Sequence, residues 1–362
     1  MKLLFFISSM RSGGAERVMA VLTDELVKRG HDVTLVVMSS DPSFYSLNEN
    51  LRLIQRNEIT NISLFNRVVY KLKSLKFIRN TIKNNNPDVV VTFTYSLNAM
   101  VLISSLFLKV PIVASEHSTF DIKLPLKKRF QRYFLNKFAN KVTILTQHDY
   151  NVIGKRLNNK IVMPNPLSFD PINEYRDDRE KYIISAGNID RYYGKGFDSL
   201  IKIWGKIGKQ YPEWKLLIAG AGSDENKAML YGLADEYNLS SQFTLLGEVK
   251  ELDKKLRECS IFVLSSKYEG LPMVLIEAMS QGCACISYDC KTGPREIITH
   301  NVDGILVEDQ NMDAMKSGLS GLIENKDKRE RLAKEAIKSV DHFSVNKIVD
   351  MWESLFKDVI VK

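Results

Sequence analysis

Short apolar runs alternate with longer amphipathic runs along this chain, and the alternation stops once and restarts. Residues 3–9 read as a strand, 10–15 as a loop and 16–29 as a helix stopped by Gly30; 32–39 read as the next strand. That is a βαβ unit. Further strands are expected at 88–93, 111–116, 141–146 and 160–165. The segment PNPLSFDP, residues 164–171, is rich in proline and reads as a linker. Strands then return at 182–188, 214–222, 243–249, 261–266 and 283–288, with helices between them. Such alternation gives a parallel sheet covered by helices on both faces. At 362 residues the chain exceeds one ordinary core. The expected class is therefore α/β, with two doubly wound, Rossmann-like domains facing a cleft.

Composition narrows the partners. No apolar run approaches the roughly 20 residues that span a bilayer, and MKLLFFISSM runs directly into a glycine loop, as a first strand does. Cys259, Cys283, Cys285 and Cys290 lack the paired spacing of a zinc site and read as reduced core thiols, hence a cytosolic compartment. The net charge of +8 suits an anionic partner. Nucleic acid is disfavoured because no recognised binding module is present.

Several short stretches fall at predicted strand ends, where open parallel sheets bind ligands. In KYEGLPMVLIEAMSQG, Glu269 lies in a loop with Gly270 and Leu271, Pro272 opens a helix, and Glu277 lies one to two turns in. The N–H groups of Met273, Val274 and Leu275 would suit a phosphate and Glu277 a ribose. A helix-start acid with a surface glutamate is the ordinary alternative. Gly13 and Gly14 join the first strand to the first helix, allowing backbone approach to an anion or simply a tight turn. Gly187, Arg191 and Lys195 share a loop whose cations suit a diphosphate or only solvent. Gly220 and Gly222 end another strand, and His117 another, where it serves a substrate or the fold.

Residues 123–141 are basic and aromatic. Lys123, Lys127, Lys128, Arg129 and Arg132 alternate with Phe130, Tyr133, Phe134 and Phe138, which fall on one face of a continuous helix. Core packing accounts for the aromatics; an anionic membrane surface accounts for both features. A second basic helix at 67–83 adds to the same half. No Asp-x-Asp occurs, so phosphates would be neutralised by Arg191, Lys195 and helix N-termini rather than a metal held by that motif.

Taken in order, GGAERV, SEH, GKGFD, EGLPMVLIEAM and the closing FSVNKIVDMWESLF resemble the retaining GT-B glycosyltransferases of family four, over essentially the whole chain. The resemblance implies a sugar-nucleotide donor domain at 167–345 and an acceptor domain at 1–166, with a final helix at 346–362 crossing back to the latter. It casts Glu277 on the ribose and Glu269 near the donor sugar. The backbone of Met273 and Val274 and the glycines Gly13 and Gly14 would face the diphosphate, Arg191 and Lys195 would carry its charge, and Glu248 and Val249 would meet the base. His117 would sit beside the transferred sugar. The chain departs from the family at Gly187-Asn188-Ile189, where Gly-Arg-Leu is usual; the loop is also about one residue longer, and Arg191 is the expected substitute cation.

Within that family the chain looks most like bacterial enzymes extending lipid-linked oligosaccharides or surface polysaccharides. The implied activity moves a hexose or N-acetylhexosamine from a UDP-sugar, without metal, to a polyprenyl-diphosphate-linked acceptor at the inner membrane face. A GDP-sugar donor, a sugar-nucleotide epimerase and a non-catalytic scaffold are the alternatives.

Overall fold

The computed structural model describes residues 1–56, 64–121 and 124–361. It divides into two compact units, Met1–Pro166 with Val345–Lys362, and Leu167–Ser344.

The first unit carries seven parallel strands: β1 (Lys2–Ile7), β2 (Asp32–Val37), β3 (Arg52–Gln55), β4 (Val89–Phe93), β5 (Ile112–Ser115), β6 (Lys141–Ile144) and β7 (Lys160–Val162). Their order is β3-β2-β1-β4-β5-β6-β7. Phe5 pairs with Leu35 on one side and Val91 on the other. β4 is VVVTF, buried throughout, because a central parallel strand is covered on both faces. The helices are α1 (Gly14–Lys28), α2 (Leu64–Asn85), α3 (Tyr95–Ser104), α4 (Leu126–Tyr133), α5 (Gln147–Ile153) and, from the chain's end, α13 (Val345–Ile360). α13 packs on α1: Arg29 reaches Asp350 at 2.5 Å and Glu353 at 3.1 Å, and His31 Nε2 lies 2.7 Å from Glu353.

The second unit carries β8 (Glu180–Ala186), β9 (Lys215–Ala219), β10 (Phe243–Gly247), β11 (Cys259–Leu264), β12 (Ala284–Tyr288) and β13 (Ile305–Val307), ordered β10-β9-β8-β11-β12-β13. Its helices are α6 (Tyr192–Lys195), α7 (Phe197–Ile207), α8 (Asp224–Glu236), α9 (Leu252–Glu258), α10 (Met273–Ser280), α11 (Met312–Glu324) and α12 (Lys326–Ser339). One core lies on a single face of the sheet, where Trp204, Leu230 and Met315 pack with the alternate strand residues Ile183, Ile261 and Ile286.

Strand order reverses between β1 and β4 in the first sheet, and between β8 and β11 in the second. Ligand crevices in doubly wound sheets form at the carboxyl ends of such strands. β3 and β13 were not expected. β3 is an exposed edge strand, RLIQ, and β13 has only three residues, so neither offers an apolar run. The expected single helix from 123 to 141 is also absent. α4 ends at Tyr133, and Leu135–Phe138 continue as a separate 3-10 turn. Among the described residues no helix is long and apolar enough to cross a membrane, and the four cysteines are free and buried.

Candidate active site

At the β8/β11 crevice the two strand-end loops are pressed together by glycine. Gly196 sits at φ +66°, and a Cβ there would lie 2.0 Å from the Ser265 carbonyl oxygen. The Lys267 N–H donates to Gly194 O (2.9 Å) and Ser265 Oγ to Lys195 O (2.9 Å). This registry brings Lys195 Nζ to 2.7 Å from Glu269 Oε1, which also accepts from Ser266 Oγ at 2.6 Å. Thr292 Oγ1 donates to the Glu269 carbonyl at 2.5 Å, and Gly293, at φ +95°, lets the β12 loop close on Gly270. Glu269 is thus held on both sides.

Pro272 caps α10 rather than opening it, and Met273 is the first helical residue. The Leu275 N–H, expected to face a ligand, is returned to Pro272 O at 3.0 Å. The donors left to the first turn are therefore those of Met273 and Val274. Glu277, one turn on, is buried, and Ser168 Oγ donates to its Oε1. That carboxylate already accepts a hydroxyl, as a ribose would require.

Lys195, expected to carry the charge of a diphosphate, is ion-paired with Glu269; its ammonium has further N–H donors beyond that bond. The Arg191 side chain is exposed, with no hydrogen-bond or ion-pair partner among the described residues. Gly220 and Gly222 have packing reasons to be glycine. A Cβ on Gly220 would lie 1.8 Å from Gly187 O, and one on Gly222 2.5 Å from the Ile189 Cβ. Asp190 tightens the same junction by accepting from Ser223 N (2.8 Å), Ser223 Oγ and Asn226 Nδ2. Glu248, exposed, and Val249 follow β10, two strands from β8.

In the first unit, Gly13 caps α1 in extended geometry, with its N–H donating to Tyr45 Oη at 3.1 Å, and Gly14 is the first helical residue. His117 follows β5. Its ring stacks on Phe93 (centroids 4.2 Å apart), which stacks on Trp352 of α13. Thr143 Oγ1 donates to Ser115 Oγ (2.7 Å), which is hydrogen-bonded to His117 Nε2 at 2.9 Å. Burial lowers the His117 pKa to about 3, so the imidazole is neutral near pH 7.

Arg132 requires a correction. It is buried, not part of a basic surface: its Nε donates to Glu116 Oε2 at 2.7 Å, Nη1 to Thr119 O at 2.6 Å and Nη2 to Ser118 O. Glu116 Oε1 also accepts from Asn136 Nδ2 at 2.8 Å. The ion pair therefore fixes the loop that carries His117. Arg132 and Asn136 lie one helical turn apart on the inward face. Phe130, Phe134 and Phe138, on the opposite side, are all exposed. Lys127, Lys128 and Arg129 are exposed as expected; Lys123 lies outside the described residues. Neither the Glu116–Arg132 nor the Lys195–Glu269 pair was legible in sequence, beyond the adjacency of Glu116 to His117.

Residues 170–339 match the model of glycosyl transferases group 1, and residues 12–164 match glycosyltransferase family 4. An amylovoran biosynthesis glycosyltransferase of Erwinia amylovora is 30% identical over 366 residues, covering 98% of this chain and 99% of its own. The chain belongs to the group 1, family 4 glycosyltransferases. A Campylobacter jejuni enzyme named as an α-1,4-N-acetylgalactosaminyltransferase acting on a diphospho-undecaprenol-linked saccharide is 26% identical over 369 residues, 99% of each chain. Sucrose-phosphate synthase of Thermosynechococcus elongatus superposes with a TM-score of 0.85 at 16% identity, covering 100% of both chains. Anabaena HepE, solved with UDP-glucose, gives 0.80 at 16% identity, covering 99% of this chain and 100% of its own. The fold of this glycosyltransferase is GT-B, and the enzyme is of the hexosyltransferase type.

Proposed function

We propose that the enzyme transfers a hexose or N-acetylhexosamine from a UDP-sugar to a saccharide carried on a polyprenyl diphosphate, with retention of anomeric configuration. The observation that carries the donor half is the β8/β11 crevice. There a buried Glu277 carboxylate accepts a hydroxyl, two α10 N–H groups are free of helix partners, and Lys195 and Glu269 are locked together. In this reading Glu277 holds the ribose, and Glu269 orients Lys195 and meets the donor sugar. Met273 and Val274 bind the diphosphate. Arg191 and Lys195 neutralise its charge, with no metal required. Donors aimed at a departing diphosphate stabilise charge as it develops. A phosphate oxygen of the leaving group takes the acceptor's proton.

The acceptor half belongs to the first unit. His117, a neutral imidazole held by Ser115 and Phe93, positions the sugar by hydrogen bonding rather than by charge. The exposed Lys127, Lys128 and Arg129 meet an anionic lipid headgroup or diphosphate at the cytoplasmic membrane face. UDP-glucose in the Anabaena relative and the undecaprenol-linked acceptor named for the Campylobacter relative support these choices.

The test incubates purified enzyme with a panel of UDP- and GDP-sugars and an undecaprenyl-diphosphate-linked saccharide, with and without EDTA. The expected result is one α-linked sugar from a UDP donor, insensitive to EDTA. Transfer from GDP-sugars alone, or an inverted linkage, contradicts the reading.

A further inference from the structure

The first unit exposes apolar side chains where a soluble surface would place polar ones. The loop after α3 presents Phe107, which is 97% exposed. Its φ is +65°, a left-handed conformation that costs energy for a residue with a Cβ. Asn or Gly would fill that position with no apolar exposure. The loop is not slack: Arg79 on α2 donates to Ser104 O at 2.9 Å and to Leu106 O at 2.8 Å, presenting Phe107 from a braced base.

Beside Phe107 lies a groove of about 480 Å3, lined by Leu102, Leu108, Pro111, Phe138, Val359 and Ile360 among others. Phe138 is its link to α4. Phe138 packs edge-on to Phe134 (5.6 Å), and Phe134 stacks on Phe130 (4.7 Å), forming an exposed aromatic row. This row exists because the segment is packed inside out, with Arg132 and Asn136 buried and the rings facing solvent. The row begins near Tyr95, at the carboxyl edge of the sheet, where Lys128 lies 5.7 Å from the Tyr95 ring. It ends at the groove, near Pro111 and Asn140, which precede β5 and β6.

Charge says what covers this face. Between Leu64 and Lys141 the sequence holds fourteen Lys or Arg and only three acids, and setting aside the buried pair Arg132 and Glu116 leaves thirteen against two. Lys109 lines the groove and Lys137 flanks Phe138, both exposed. The nearby Asp358 is occupied by Lys141 at 3.3 Å. An apolar patch of this kind rimmed by cations fits the boundary between headgroups and acyl chains of an anionic membrane.

We propose that this face docks on an anionic phospholipid bilayer, with Phe107 as the inserted wedge and the groove accepting part of an acyl chain. It rests on the reading that the acceptor is borne by a lipid, and adds the element that inserts. The aromatic row then lies along the membrane, holding the β5 edge and His117 at a set height above it.

The test uses the full chain and vesicles of phosphatidylglycerol with phosphatidylcholine, or phosphatidylcholine alone. The native tryptophans are 0–2% exposed, so Phe107→Trp adds an exposed reporter. Its emission should shift to the blue with anionic vesicles and be quenched by brominated acyl chains. Phe107→Asn, which tolerates the left-handed backbone, should weaken vesicle binding about tenfold or more. It should not lower the melting temperature, since Asn relieves the left-handed strain, and should leave the stabilisation by UDP unchanged. A reporter in Phe107→Trp that brominated chains leave unquenched, or equal binding by Phe107→Asn, overturns the wedge. So does a concentration-dependent dimer, dissolved by Phe107→Asn, in a protein that ignores vesicles; the face then belongs to a second copy. Quenching and weakened binding with no transfer to lipid-linked acceptors would uphold the wedge and reject only the acceptor.

Discussion

Arg132 shows most clearly how a residue's surroundings decide its role. In sequence it is one of seven cations in the basic stretch 123–141; in the fold it is 1% exposed and paired with Glu116. Its replacement by Met should leave a buried carboxylate without its cation, which costs about 3–5 kcal/mol. Urea unfolding of Arg132→Met measures this. A loss below about 0.5 kcal/mol, as for an exposed charge, would return Arg132 to the surface. The amphipathic period located the aromatic face but not its direction, because period alone cannot say which side meets the core. Glu269 and Glu277 were legible as a pair flanking a helix start. The bond from Glu269 to Lys195, 74 residues away, was not. Gly220 and Gly222 were legible as glycines, and the carbonyl and side chain that require them were not.

His117 gives a second prediction at this scale, in pH. Its folded pKa is about 3, below the ordinary 6.5, so the unfolded chain binds its proton first as pH falls. Its contribution to stability is then present above pH 6.5 and lost progressively as pH falls toward 3. The melting temperature of His117→Gln should therefore fall less steeply than that of the wild type over this window. Parallel curves would place His117 in a solvated site.

At the scale of elements, α13 is fixed on α1 by a cluster rather than by apolar packing alone. Arg29 donates to Glu25, Asp350 and Glu353, and the hydrogen bond from His31, foremost, holds the Glu353 carboxyl below the usual range. α13 also supplies Trp352, which backs Phe93 beneath His117. Glu353→Gln should cost about 1 kcal/mol and lower the melting temperature, the cluster being partly exposed. An unchanged melting temperature would mean that Trp352 and Phe356 hold the helix unaided. The closing helix was legible because its apolar residues recur at helical spacing. β3 and β13 were not, since short edge strands carry no alternation that separates them from loop.

At the scale of the whole molecule, each unit has its own sheet and its own core, and the two carry different chemistry. The restart of alternation after 164–171 made both sheets legible, because parallel strands buried on both faces are continuous apolar runs. The positive charge belongs to one unit: outside Leu64–Lys141 the chain is slightly acidic. The central claim is that the second unit's β8/β11 crevice is a nucleotide site anchored by Glu277. Its most direct test is thermal stabilisation by UDP, GDP, ADP and CMP without metal, for the wild type and Glu277→Ala. A ligand that binds only the folded state raises the melting temperature by mass action. A nucleotide site anchored by Glu277 gives a rise selective for UDP that Glu277→Ala abolishes; a UDP rise that survives Glu277→Ala, or no rise with any nucleotide, rules that site out.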